Sequence, residues 1–124
     1  MKSSYDVIIV GAGASGMLAA VSAAKNGADV LIIEKMSRPG RKMLISGKGR
    51  CNITNTAYQS EFFKKIKPKP RFLKHAFSTF FNQEIIQLLE ENGLKTKEER
   101  GGRVFPESDK ADDVVNTLLK ILKK

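Results

Sequence analysis

The chain has 124 residues, of which 41% are hydrophobic and 28% charged, a composition typical of one modest folded domain and not of a disordered chain. No apolar run approaches the about 20 residues that span a bilayer, and no basic signal-type region precedes the first apolar stretch, so a cytoplasmic protein is expected. The single cysteine excludes an internal disulfide or dithiol pair, and the net charge of +9 favours phosphate-bearing ligands without choosing among them.

A strand, a helix and a second strand are predicted at the start of the chain. Residues 5–10 are apolar except for one aspartate and end at a glycine, which predicts a buried strand. Small and apolar residues from Ala14 to Lys25 predict a closely packed helix that Asn26-Gly27 ends. Val30 to Ile33 predicts another buried strand. This order is typical of a βαβ unit with parallel neighbouring strands and a right-handed crossover.

Three glycines lie directly after the first predicted strand and at the start of the predicted helix. Gly11 permits a tight turn, Gly13 lets the backbone approach a pyrophosphate, and Gly16 lets the helix pack closely on the strand. The amides of Ala14 and Ser15, at the start of the helix, would then point at the phosphates, where the helix dipole favours negative charge. The pattern predicts a dinucleotide pyrophosphate site.

An acidic residue, Glu34, ends the second predicted strand. Its distance from the glycines is close to the spacing at which an acid takes the adenosine ribose hydroxyls. An acid at this place would repel a 2′-phosphate, which argues against NADP. The alternative is a surface acid paired with Lys35 or Lys25. Glycines and acid together fit both FAD and NAD, so NAD stays open as an alternative cofactor.

The stretch from Lys35 to Asn55 is dense in glycine and cations and shows no sustained period, which predicts a long structured loop. Its glycines permit close backbone approach, and Arg41, Lys42 and Arg50 suit phosphate oxygens. Its amide and hydroxyl side chains both donate and accept, as a ribityl chain or a flavin edge requires. We expect this loop to fold over a bound cofactor.

A basic stretch follows between residues 64 and 74, where two prolines exclude a continuous helix. A nucleic-acid-binding protein, or a flavoprotein that handles RNA, would use these cations together with Phe62, Phe63 and Phe72. A solvated loop above core phenylalanines explains the pattern more simply, so nucleic acid is not the expected partner. His75, the only histidine, is interpreted as structural or exposed.

The last third predicts two helices separated by a hairpin. Apolar residues recur at helical spacing from Phe72 to Leu89, and Asn92-Gly93 supplies a stop. Leu94 to Phe105 is typical of a hairpin, and Ser108 or Asp109 would cap a final amphipathic helix. Because two parallel strands make a poor sheet, residues 1–124 are interpreted as the N-terminal segment of a longer domain.

Three sets of residues resemble a known family, the FAD flavoproteins described as aminoacetone oxidase-like or BaiN-like NAD(P)/FAD-dependent oxidoreductases. These are the glycine fingerprint with Glu34, the run from Pro39 to Asn55, and the segment from Gly102 to Lys110. The resemblance implies extended FAD, with the Gly11 to Gly16 turn at the pyrophosphate, Glu34 on the ribose and the loop from Arg41 to Thr54 along the cofactor. It also implies a much longer chain with a second, mainly β domain.

The predicted fold class is α/β: the N-terminal part of a Rossmann-like FAD-binding domain of the glutathione-reductase type, with an incomplete parallel sheet, helices and a small hairpin. FAD is the predicted cofactor, NAD(P)H is the possible electron donor of the full-length oxidoreductase, and a homodimer through exposed sheet edges is considered. No catalytic residue and no metal site are predicted, and Cys51 is interpreted as packed beside the cofactor. The predicted cofactor-binding residues are Gly11, Gly13, Ala14, Ser15, Gly16, Glu34, Lys35, Arg41, Lys42, Ser46, Gly47, Gly49, Arg50, Cys51, Asn52 and Thr54.

Overall fold

The structure, a computed structural model, describes residues 2–123. Its strands are β1 (Val7–Val10), β2 (Val30–Ile33), β3 (Thr54–Asn55), β4 (Thr96–Glu99) and β5 (Arg103–Pro106). Its α-helices are α1 (Ala14–Lys25), α2 (Arg41–Ile45), α3 (Gln59–Lys65), α4 (Lys74–Thr79), α5 (Asn82–Glu91) and α6 (Ala111–Leu122). Three 3-10 turns lie at Ser46–Gly49, Pro70–Leu73 and Arg100–Gly102.

The predicted βαβ unit is present, and with it the α/β fold class is confirmed. β1 and β2 pair in parallel, from Val7 opposite Val30 to Val10 opposite Ile33. The helix between them has the predicted bounds. The first strand begins two residues later than predicted. Just before it, the Asp6 main-chain amide donates to the Asp29 carbonyl at 3.0 Å, and the Asp6 carboxylate accepts the Asp29 amide at 2.9 Å.

A second, antiparallel sheet has the order β3-β5-β4. The predicted hairpin forms its larger part, with Thr96 opposite Pro106 and Glu99 opposite Arg103. The strand β3 adds to the other edge of β5 and places Thr54 opposite Val104. The sequence did not predict β3, because a strand of two residues is too short to show alternation.

Two local predictions from periodicity are wrong. The stretch predicted as a long structured loop without helical period contains α2, a five-residue helix too short to show one. The apolar run from Phe72 onward is divided into a 3-10 turn, α4 and α5, because Phe80 and Phe81 are both extended. The Glu84 carboxylate accepts the Phe81 amide at 3.1 Å, so α5 begins separately.

The core lies where α6 packs against α1, α2, α5 and β5. Its largest fully buried side chains include Met17, Leu89, Phe105 and Val115. The predicted side-chain cap of α6 is absent: the helix begins at Ala111 without one. The Asp109 carboxylate is engaged instead by two cationic side chains, Arg50 and Lys97, while the Ser108 hydroxyl accepts the Lys110 amide at 3.3 Å.

Candidate cofactor-binding site

The glycine turn brings α1 into contact with the ends of both parallel strands. Gly11 has a φ of 105°, and its amide donates to the Ile33 carbonyl at 2.7 Å. A Cβ atom on Gly16 would lie 2.0 Å from the Gly11 carbonyl oxygen. No side chain fits at this point, so glycine at position 16 lets the helix rest on the turn.

The N-terminal end of α1 is open. Gly13, Ala14 and Ser15 are exposed, and no side chain caps the helix. A Cβ atom on Gly13 would meet nothing within 4 Å, so the space beside the backbone is free. Main-chain amides at a helix start carry partial positive charge and favour anionic oxygen atoms. This end of the helix therefore has the chemistry of a phosphate cradle.

Glu34 joins the end of β2 to the glycine turn. One carboxylate oxygen accepts the Ala12 amide at 2.8 Å and the other accepts the Met36 amide at 3.1 Å. The bond from Ala12 is the largest of the causes that lower the pKa of Glu34, so the side chain is ionised at neutral pH. Both bonds are to main-chain amides and not to the lysine side chains considered from the sequence.

The second motif is attached to the same residue, Ala12. The Gly40 amide donates to the Ala12 carbonyl at 2.8 Å, while the Ala12 amide is held by Glu34. Gly40 has a φ of 73°, and a Cβ atom there would lie 2.9 Å from a Val115 methyl carbon. Arg41 and Lys42 follow at once, both exposed. Ala12 therefore connects the two glycine motifs, and no sequence pattern identified it.

Residues 46–52 form a tight turn with an unusual backbone. Gly47 and Lys48 have φ values of 56° and 57°, and Cys51 has a φ of 62°. The Cys51 amide donates to the Ser46 carbonyl at 3.1 Å, which closes the turn. A Cβ atom on Gly47 would lie 2.7 Å from the Asn52 amide nitrogen. Glycine is therefore required at this position both by its φ and by the space.

Cys51 is buried, with 4% of its surface exposed. Burial raises the pKa of its thiol, against a smaller opposing effect of a hydrogen bond with Ser46. A neutral, enclosed thiol is a poor nucleophile. The side chain thus has the packed character that was expected from the sequence.

Arg50 differs from the phosphate-binding role predicted for it. Its guanidinium bonds the Glu99 carboxylate at 2.9 Å and the Asp109 carboxylate at 3.1 Å. It also lies over the Phe105 ring, 3.8 Å from the ring centroid. Lys97 completes the cluster, 2.8 Å from Asp109. Arg50 is positioned by two acids distant in sequence, so it holds the 46–52 turn onto the antiparallel sheet.

The other predicted residues of the second motif lie along this sheet or on its surface. Thr54 is in β3, and the Asn52 side chain donates to the Thr54 carbonyl at 2.9 Å when its amide nitrogen faces that oxygen. Lys35 and Gly49 are exposed. Glu34 thus bonds directly to the turn formed by residues 11–16. The second motif contacts the same turn through the Gly40 amide.

We expect the ion-pair cluster of Arg50, Lys97, Glu99 and Asp109 to make the free energy of unfolding depend on pH. Arg50, and then Lys97, lower the pKa of Glu99, while Lys97, and then Arg50, lower the pKa of Asp109. Because the pKa values are lower in the folded state than in the unfolded state, the ion pairs stabilise the fold fully above the unfolded pKa values of about 4.3 for Glu99 and about 3.9 for Asp109. It is lost as the pH falls through the folded values. Replacing Arg50 with methionine should therefore lower the urea concentration at the unfolding midpoint at neutral pH. The difference in midpoint between the wild type and the variant should become smaller below about pH 4.

Urea unfolding across the pH range measures this gap. Arg103→Met is the matched control, since among residues 2–123 its side chain donates to the Arg100 carbonyl, at 2.9 Å, and to no acid, and its guanidinium is 5.8 Å from the Phe105 centroid. The control should keep the wild-type pH profile. A gap between wild type and Arg50→Met that is constant from neutral to acid pH would contradict the assigned role of the cluster.

Comparison with known proteins decides the family. The profile of the HI0933-like protein Rossmann domain matches residues 5–124. The chain belongs to the HI0933-like family. This family binds FAD, so the flavoprotein assignment and the cofactor predicted from the sequence are confirmed.

Relatives of this HI0933-like chain include two curated enzymes. It is 36% identical over 115 residues to the ribosomal RNA dihydrouridine synthase of Escherichia coli, covering 93% of this chain and 28% of the relative. It is 38% identical over 112 residues to the 3-dehydro-bile acid delta(4,6)-reductase of Clostridium scindens, covering 89% of this chain and 27% of the relative. The chain therefore spans less than a third of the length of either relative.

A solved structure shares the fold. The open conformation of a flavocytochrome c3 fumarate reductase matches with a TM-score of 0.57 and 23% identity, over 96% of this chain and 25% of that chain. Between residues 2 and 123 of the HI0933-like chain, no helix has the length and apolar character that crossing a bilayer requires. The same residues contain no group of three or more histidine, cysteine or acidic side chains arranged to hold a metal ion.

Proposed function

We propose that the chain is the N-terminal, FAD-binding segment of a flavin-dependent oxidoreductase. The observation that carries the proposal is the open end of α1, where no side chain caps the helix, the first residues are exposed, and the space beside Gly13 is free. When bound, the flavin supplies hydride-transfer chemistry, while the protein supplies binding and orientation. The residues present fit this cofactor because they offer main-chain amides to an anion and an ionised acid to a neighbouring sugar.

The first motif has two roles in this proposal. The amides of Gly13, Ala14 and Ser15 donate to the pyrophosphate oxygens, and Gly16 keeps the helix close enough to aim them. Glu34 accepts the hydroxyl groups of the adenosine ribose with lone pairs that its bonds to Ala12 and Met36 leave free. Its negative charge disfavours a 2′-phosphate at the same place.

The second motif lies along the remainder of the cofactor in this proposal. The exposed cations Lys35, Arg41 and Lys42 supply positive charge for the phosphates. The turn at residues 46–52 and the strand β3 form the surface facing the cofactor, with main-chain and side-chain polar groups from Ser46, Gly47, Gly49, Asn52 and Thr54. Arg50 and Cys51 hold this turn in place: Arg50 through its ion pairs with Glu99 and Asp109, and Cys51 through its packing in the core.

Replacing Gly13 with valine tests the pyrophosphate site. The backbone at Gly13 is extended, with φ −87° and ψ −171°, and open, so the folded state tolerates a side chain there. The new side chain would occupy the space of the phosphate, and the loss of charge-assisted hydrogen bonds should weaken FAD binding by about 10- to 100-fold. Titration followed by flavin fluorescence measures the affinity, and thermal unfolding of the apoprotein checks the fold.

Ala19→Val is the matched control for this experiment. Ala19 is also exposed on α1, but it lies more than one helical turn beyond Gly13. The control should bind FAD as the wild type does. Unchanged FAD affinity in Gly13→Val would refute the assignment of the site. A parallel titration with NAD addresses the alternative cofactor, because binding of NAD without FAD would replace FAD in this proposal.

The segment is proposed to be part of a larger FAD domain. Val10 is 83% exposed, Ile8 57% and Ile33 49%, so one apolar face of the parallel sheet is open to solvent in the described residues. Apolar sheet faces normally pack against another layer. We infer that further strands or helices of a longer chain cover this face, or that a second copy pairs with it. A monomer in light scattering would contradict the second copy.

The names of two relatives point to a reaction class. Dihydrouridine is uridine with its ring carbon–carbon double bond reduced, and a delta(4,6)-reductase acts on double bonds. We therefore propose that the full protein reduces a carbon–carbon double bond, one carbon receiving a hydride and the other a proton. NAD(P)H is the proposed donor of the electron pair. Anaerobic loss of flavin absorbance on addition of NADH or NADPH checks this donor, and unchanged absorbance would contradict it.

A further inference from the structure

A strongly basic surface lies outside the proposed FAD site. Residues 64–74, named here the basic loop, run from the last two residues of α3 through the 3-10 turn Pro70–Leu73 to the first residue of α4. The loop contains no acid and carries six exposed cations: Lys64, Lys65, Lys67, Lys69, Arg71 and Lys74. Within the described part of the chain, Lys64 is the one of the six with an acidic partner, Glu61 at 3.0 Å. The other five positive charges face solvent without neutralisation.

One aromatic ring lies among these cations. Phe72 is 87% exposed, although it follows the same short apolar pattern as its neighbours. In contrast, Phe62, Phe63, Phe77 and Phe81 pack on one another with ring centroids 4.7 to 5.9 Å apart. Phe62 and Phe63 are therefore partly enclosed by other rings, whereas Phe72 exposes its ring to solvent.

The basic loop is held at both ends. The phenylalanine cluster joins α3 to α4 and α5, and the Gln59 side chain donates to the Phe77 carbonyl at 3.0 Å. The Asn82 side-chain Nδ2 donates to the carbonyls of Asn55 and Ala57, at 2.7 and 2.9 Å. These bonds tie the cluster to β3, the end of the second motif. The cations and Phe72 are consequently presented on a fixed base beside that motif.

We propose that the basic loop and Phe72 form a binding surface for single-stranded RNA. Lysine and arginine contact the phosphates, and an exposed ring stacks on a base, which is the combination found in proteins that hold single strands. The inference rests on the proposed function in one respect: the held RNA would present a base to the flavin. A bilayer fits the surface less well, because α3 and α4 have only 7 and 6 residues and turn phenylalanines inward.

The first test removes charge from the loop. Lys65, Lys67, Lys69 and Arg71 are replaced with glutamine in the full-length, flavin-containing protein. The probe is a fluorescein-labelled single-stranded oligouridine of about 15 nucleotides, titrated at several salt concentrations. Loss of four phosphate contacts should weaken binding and reduce the slope of log affinity against log salt by up to about 3.

The matched control removes the same number of charges from other surfaces. Lys25, Lys95, Lys110 and Lys123 are all exposed and lie outside the loop. Both variants therefore lose four positive charges from the net charge of +9. The control should bind the oligonucleotide with a salt slope close to that of the wild type. Equal losses in both variants would mean that the overall charge attracts RNA, and this would overturn the proposal.

The second test concerns stacking. Phe72→Ala should weaken RNA binding by about 5- to 150-fold with little change in the salt slope, and Phe72→Trp should restore it. Flavin absorbance of each variant is recorded in the same preparation, so failure of the RNA surface is distinguished from failure of the FAD site. Unchanged affinity in Phe72→Ala, or loop-dependent sedimentation with anionic phospholipid vesicles without RNA binding, would overturn the proposal.

Discussion

Replacing Gly16 with alanine is expected to destabilise the protein by about 3 kcal/mol. The added Cβ atom would lie 2.0 Å from the Gly11 carbonyl oxygen, and a backbone atom cannot move aside as the end of a side chain can. Alanine favours a helix interior by about 1 kcal/mol over glycine, which does not offset an overlap of this size. Urea unfolding of the apoprotein measures the loss.

The same substitution is expected to weaken FAD binding. To relieve the overlap, α1 must move away from the turn, which redirects the amides of Ala14 and Ser15. Gly13→Ala is the control for stability, since a Cβ atom there meets nothing within 4 Å. Its free energy of unfolding should remain within about 1 kcal/mol of the wild type. Wild-type stability in Gly16→Ala would show that the helix does not rest on the turn as described.

Replacing Phe105 with alanine is expected to destabilise the protein by about 3 to 5 kcal/mol. Phe105 is among the largest fully buried side chains, and its ring packs against the turn at residues 46–52. The Arg50 guanidinium lies 3.8 Å from its ring centroid, and a Cβ atom on Gly47 would lie 3.2 Å from its Cε1 atom. Loss of the ring leaves a cavity at the point where the turn meets the antiparallel sheet.

Phe105→Leu and Phe72→Ala are the controls that attribute the loss of stability in Phe105→Ala to core packing. Phe105→Leu keeps most of the volume and should destabilise the protein less than Phe105→Ala. Phe72→Ala should leave the free energy of unfolding within about 0.5 kcal/mol of the wild type, because this ring is 87% exposed. Equal stabilities of Phe105→Ala and Phe72→Ala would contradict the assignment of Phe105 to the core. Weaker FAD binding in Phe105→Ala is the expected functional result, because the proposed cofactor surface loses its support.

The position of Ala12 explains how two motifs distant in sequence come together in the fold. Its amide binds Glu34 and its carbonyl receives the Gly40 amide, so a single peptide segment orients the acid and the second motif together. The residue is 5% exposed and has no functional side-chain chemistry. Interactions of this kind belong to the backbone and leave no trace in residue type.

The sequence by itself determined the local elements and the cofactor. The βαβ unit, the bounds of α1 and the hairpin follow from periodicity, glycine spacing and turn residues, all of which act over short stretches of chain. The glycine turn predicted a dinucleotide site, because close backbone approach to a phosphate limits which residues fit. FAD in place of NAD followed from the resemblance of the longer motifs to a known family, which the family match confirms.

The tertiary structure alone decided which side chains are available to a ligand. Arg50 had the residue type of a phosphate ligand, yet Glu99 and Asp109, 49 and 59 positions away, engage its charge. Phe62 and Phe72 have the same chemistry in the sequence, but only Phe72 remains largely exposed after the other rings pack. Partners so distant in the chain meet only through folding, so neither composition nor spacing can assign them.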